Sequence, residues 1–101
     1  MHEKRVHARI SIDVAVTCEL KGGSEVYGVA KDISVGGMYV QCREAVPFGT
    51  ELTVVGRLPG LPDQVRLPGV VRWSKEGGFG VQFGLLGARE THAITRLMRS
   101  R

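Results

Sequence analysis

Two short stretches of this chain carry residue types suited to holding a ligand. The first is Lys4-Arg5-Val6-His7-Ala8-Arg9, with two arginines four residues apart. In an extended arm or a helical turn, residues i and i+4 point to the same side, so both guanidinium groups can close on one ligand. The guanidinium is a planar fork that matches two phosphate oxygens or the O6/N7 edge of guanine, a fit that lysine does not reproduce. The second stretch is Asp32-Ile33-Ser34-Val35-Gly36-Gly37. A carboxylate accepts from the N1 and N2 edge of guanine, a serine hydroxyl donates or accepts, and Gly36 and Gly37 let a backbone approach closely. Taken singly, the first stretch reads as a solvated basic surface and the second as an Asx or Ser turn, so neither decides the matter by itself.

Other chemistries find less support. Catalysis needs a nucleophile with a positioned base, paired carboxylates or a metal, and nothing here resembles G-x-S-x-G or H-E-x-x-H. No catalytic residue and no enzymatic activity are expected. His2, His7 and His92 are scattered, and Cys18 and Cys42 fall in alternating apolar runs rather than in a C-x-x-C pair. Two free, buried thiols are expected, with no metal and no cofactor.

The formal charge of +4 is unevenly placed: residues 1 to 9 carry +2, residues 88 to 101 carry +3, and the middle carries −1. Basicity confined to the ends fits an anion-binding arm or tail, whereas a nucleic-acid groove spreads Lys and Arg across its strands. Nucleic acid is therefore not the expected partner, although a pI near 9.5 keeps a small nucleic-acid-binding barrel as a rival. The C-terminal arginines are read as a solvated helix face. No apolar run approaches the roughly 20 residues that span a bilayer, and Met1 to Arg9 has no signal-type apolar core. A soluble, cytoplasmic protein is expected.

These residues need a scaffold, and 101 residues suit a single domain. Ile10, Ile12, Val14, Val16, Cys18 and Leu20 alternate with small or polar residues, which marks a half-buried strand. After Lys21-Gly22-Gly23-Ser24, a second run from Val26 to Ile33 carries Tyr27, Val29 and Ile33 on one phase and pairs with the first as a hairpin. The Ser34 to Gly37 turn leads to a third strand, Met38 to Cys42. Leu52 to Leu58, Val65 to Trp73 and Phe79 to Phe83 supply three more, with Pro68 marking an edge or a bulge. Six short runs and no helix between them indicate an antiparallel sandwich or barrel. Ile94, Leu97 and Met98 then fall at i, i+3 and i+4, the period of an amphipathic helix packing on one barrel opening.

In combination, Arg5 and Arg9 before a strand, followed by Asp32, Ser34 and Gly37 on a later one, resemble the signature of the bacterial PilZ-domain family. Val70-Val71-Arg72-Trp73 and Gly80-Val81-Gln82-Phe83 also look like that family's late strands. The resemblance covers nearly the whole chain. It implies an all-β fold, a six-stranded antiparallel barrel with a C-terminal helix, in one domain over 1-101: a basic arm at 1-9, the barrel at 10-84 and the helix at 88-100. It further implies a receptor for cyclic di-GMP in which Arg5 and Arg9 take phosphates and guanine edges, Asp32 and Ser34 take the second base, and Gly37, with Gly36, shapes the turn. Lys4 stands at the position that bears on whether one or two nucleotides bind. Trp73 stands where some members offer an aromatic surface, although core packing of the indole is its first reading. The arm is expected to change conformation on binding and, with no second domain in the sequence, to relay the signal to an effector protein whose identity the sequence does not give. A PilZ-like module that acts through protein contacts alone is the main rival.

Overall fold

In the computed structural model, which describes residues 9–99, the opening alternation forms β1 (Ile10–Leu20). It is followed by β2 (Glu25–Ile33), β3 (Gly37–Cys42), β4 (Glu51–Arg57), β5 (Gln64–Lys75), β6 (Gly78–Phe83) and one helix, α1 (Ala88–Arg99). All strand pairs are antiparallel, and the sheet closes as β1-β2-β3-β6-β5-β4 with β4 returning to β1. Closure gives each strand a neighbour on both sides and removes the exposed edges an open sheet would carry. The expected six-stranded barrel with a C-terminal helix is thus the observed architecture. Among the described residues, no helix is long and apolar enough to cross a membrane.

The barrel interior is filled by the inward phase of each strand, including Val40, Val54, Leu67 and Val71, and by Phe79, Val81 and Phe83 of β6. α1 adds Ala93, Ile94 and Leu97 to the same cluster, with Met98 packed at its margin, as the 3.6-residue period requires. The helix starts after Gly87, whose carbonyl accepts the Thr91 N–H at 3.0 Å, and Arg89 reaches Asp63 at 3.3 Å. Cys18 and Cys42 are free and buried. Burial pushes the Cys18 thiol from an ordinary 9.0 up to about 12 and raises that of Cys42 as well, so both behave as small hydrophobes.

Pro68 lies inside β5, opposite Thr53 of β4. Its carbonyl accepts the Gly84 N–H at 2.9 Å, just beyond the end of β6. A strand residue's N and C=O point to one side, so the donor that proline lacks falls where β6 has run out. The expected edge exists locally, at a strand end inside a closed barrel.

The expectation that Tyr27, Val29 and Ile33 share one phase of β2 is overturned, since Tyr27 is exposed and Ile33 buried. Tyr27 is 65% exposed, and the inward positions are Val26, Ala30 and Ile33. The reason is a register shift: Ala30 faces Val40 while Asp32 faces Tyr39, so Lys31 is an extra residue and the phase resets. Similar one-residue shifts fall between Ser11 and Val14 on β1 and between Val71 and Trp73 on β5. All three bear on the outer wall described next.

Candidate ligand-binding face

β1, β2, β3, β6 and β5 are consecutive around the barrel, and their outer faces meet in one shallow surface. Arg9, immediately before β1, donates to Asp32 Oδ1 from Nη2 at 2.7 Å and from Nε at 3.2 Å. The Tyr39 N–H donates to the same oxygen at 3.2 Å. Asp32 Oδ1 is therefore engaged three times, whereas Oδ2 has no partner among the described residues. Both side chains are about one-third exposed (31% and 32%), which makes this a solvent-screened pair that orients its members more than it stabilises the fold.

Tyr39 and Trp73 lie beside this pair as an offset stack, with ring centroids 5.3 Å apart and planes 12° from parallel. They reach across β6 from opposite sides, Tyr39 over Gly78 and Trp73 over Gly80. A Cβ at Gly78 would stand 2.7 Å from Tyr39 Cζ, and one at Gly80 would stand 2.8 Å from Trp73 Cδ1. The two glycines thus form the shelf on which the rings rest. Lys75 Nζ sits 5.7 Å from both ring centroids, within cation–π range. Arg9, Ser11, Asp32, Tyr39, Trp73 and Lys75 line an open cleft of about 590 Å³. Its chemistry is a free carboxylate oxygen, two cations and a flat aromatic surface.

Of the residues singled out by sequence, the structure brings Arg9 and Asp32 together. Lys4 and Arg5 lie outside the described residues. Ser34 is 2% exposed, and its Oγ accepts the N–H groups of Gly36 at 3.1 Å and Gly37 at 3.2 Å. Its own N–H donates to the Gly37 carbonyl at 2.8 Å. The hydroxyl is consumed in holding the turn. Gly37 is packed so tightly that a Cβ would fall on the Val81 carbonyl oxygen, and the Gly36 carbonyl accepts the Phe83 N–H at 2.9 Å. These glycines weld the turn to β6.

The core reading of Trp73 is overturned: the indole is 45% exposed and lies on the outer wall. Tyr39 and Lys75 were not singled out by sequence. The available signal was two aromatic residues on strands that flank Gly78-Phe79-Gly80, a pattern in which rings cover glycines of the neighbouring strand.

A family model described as PilZ domain matches residues 3–100. Among solved structures, the chain is similar to the Bacillus subtilis inhibitor of motility (MotI/DgrA), with 21% identity and a TM-score of 0.77 over 99% of this chain and 54% of that one. It therefore spans about half the length of that protein. It is also similar to the PilZ domain of CeSA from a cellulose-synthesizing bacterium, with 22% identity and a TM-score of 0.71 over 89% and 93% of the two chains. A third similar structure is the PilZ domain of Escherichia coli YcgR with c-di-GMP, at 14% identity and a TM-score of 0.78 over 97% and 91%. At these identities the likeness is one of fold. No curated protein sequence matches the chain at a significant level.

Proposed function

The chain belongs to the PilZ-domain family, and on that footing we propose that its outer wall between β1 and β5 is a receptor site for cyclic di-GMP. The observation that carries this reading is the Arg9–Asp32 pair set beside an exposed aromatic stack in one cleft. Cyclic di-GMP has two phosphodiesters and two guanines, and each chemical feature has a counterpart on this face. Arg9 and Lys75 supply cations for the phosphates, Asp32 Oδ2 supplies an acceptor for a guanine N1/N2 edge, and Trp73 supplies a surface for base stacking. Arg5 is assigned to the same ligand as the partner of Arg9, with Lys4 beside it. Ser34, Gly36 and Gly37 act by holding the turn that presents Asp32. One of the similar structures holds the same ligand.

A micromolar complex requires about 8 kcal/mol. A bidentate arginine contact supplies about 1 to 3 kcal/mol, so arginines alone fall short and base stacking, at about 1 to 3 kcal/mol per base, has to contribute. No catalytic step is assigned to the site. On this reading the basic arm closes on the bound nucleotide and so presents a changed surface to an effector protein.

Calorimetry with cyclic di-GMP on the wild-type protein and on Arg9→Ala tests the receptor reading. Heat that the substitution abolishes supports it. No heat from the wild type sinks it and favours a module that works through protein contacts alone. Hydrogen exchange at Val6 to Ile10 tests the relay, since equal rates with and without nucleotide leave no conformational signal to pass on.

A further inference from the structure

A second cleft, of about 360 Å³, adjoins the first and shares Arg9 and Trp73 with it. Its far side is made by Arg72 and Gln82, residues to which the reading above gives no role. Regular alternation would place Arg72 and Trp73 on opposite faces of β5. The register shift prevents this: Val71 faces Val81 and Trp73 faces Gly80, so Arg72 is the extra residue. Both side chains emerge on the outside, next to each other.

Arg72 Nε donates to Gln82 Oε1 at 2.7 Å. Arginine has no acceptor, so the glutamine must turn its oxygen toward the guanidinium and its NH₂ away. Gln82 comes from the outward phase of β6, opposite Val70 of β5, and orients the guanidinium through this one bond. The two terminal nitrogens of Arg72 and the Gln82 amide nitrogen have no hydrogen-bond partner among the described residues. The pair therefore offers an oriented edge of donors beside an exposed indole. A purine laid against the indole meets that edge with one side of its ring. Guanine presents two adjacent acceptors there, O6 and N7. Adenine presents N7 and an amino group, and an amino donor facing donors has no partner.

We propose that Arg72, oriented by Gln82, reads the O6/N7 edge of a guanine that stacks against Trp73 in the second cleft, and so sets preference for guanine over adenine. This rests on the receptor reading and deepens it. The first cleft offers the acceptor of Asp32 and the second the donors of Arg72, so on this proposal the two sites read complementary edges of the two bases.

The test is a cycle of two proteins and two ligands: wild type and Arg72→Met, titrated calorimetrically with cyclic di-GMP and with its 7-deazaguanine analogue, which lacks N7 but keeps both phosphates. Wild type is expected to lose about tenfold in affinity for the analogue, and Arg72→Met about ten- to a hundredfold for cyclic di-GMP. The variant should then distinguish the two ligands much less than wild type does. Gln82→Leu, which leaves the guanidinium in place but unanchored, should lose part of the same discrimination. Arg72→Met binding cyclic di-GMP as tightly as wild type overturns the proposal. So does a loss by the same factor for both ligands, which marks a phosphate contact. Absence of cyclic di-GMP binding by wild type overturns the receptor reading together with it.

Discussion

Gly37→Ala puts the construction of the candidate ligand face to a direct test. A Cβ at this position falls on the Val81 carbonyl oxygen and stands 3.3 Å from its carbonyl carbon. Against a van der Waals separation of about 3.5 Å, the overlap with the oxygen is roughly 1 Å, and the obstruction is backbone that cannot rotate away. Relief requires β3 to lift from β6 at the Gly37–Gln82 pair. That movement strains the Phe83 N–H to Gly36 C=O bond at 2.9 Å and the Gly37 N–H to Ser34 Oγ bond at 3.2 Å. Two such bonds contribute about 0.5 to 1.5 kcal/mol each, and overpacking adds about 1 to 3 kcal/mol. A loss of about 3 to 4 kcal/mol lowers the Tm of a domain this size by roughly 12 to 30 °C. Gly84→Ala is the control, since its Cβ would meet nothing nearer than the Pro68 carbonyl oxygen at 3.8 Å. Calorimetric melting of the three proteins without ligand decides the matter. A Gly37→Ala Tm within about 3 °C of wild type refutes the view that this glycine serves the fold.

Ser34→Ala removes the acceptor of two turn N–H groups; it should cost about 1 to 3 kcal/mol in urea unfolding even without nucleotide, and an unchanged midpoint would leave the hydroxyl a ligand contact only. Gly80→Ala drives the indole of Trp73, the chain's one tryptophan, off its shelf. Its fluorescence should shift to the red while stability stays within about 1 kcal/mol, and an unmoved spectrum would show that the indole does not rest on Gly80. Because the Cys18 thiol is pushed up to about 12 in the fold, the folded chain keeps its proton while an unfolded thiol of 9.0 loses it. Stability should therefore fall as pH rises from 9 toward 12, and fall less steeply in Cys18→Ala; parallel slopes for the two proteins contradict this.

Much of the architecture was legible because its signals are local. The alternation from Ile10 to Leu20, the ring-valine-ring face of Phe79, Val81 and Phe83, and the i, i+3, i+4 spacing of Ile94, Leu97 and Met98 are each set by backbone period, and each element formed where its period placed it. Arg9 and Asp32 were each singled out by residue type as groups for one ligand, whereas their direct pairing emerged only in the structure. Tyr27, Trp73 and Arg72 were not legible in the same way. The phase of Tyr27 relative to Ile33, and the position of Trp73 on the same side as Arg72, depend on extra residues in β2 and β5, and such an insertion exists only relative to the strand opposite. The shelf of Gly78 and Gly80 likewise takes meaning only once β3 and β5 flank β6. Sequence by itself determined the elements and the barrel class, and singled out Arg9 and Asp32 as candidate residues. Tertiary structure alone decided which side chains share the outer wall, because register is a relation between strands far apart in the chain and one residue of slip moves a side chain from one face to the other.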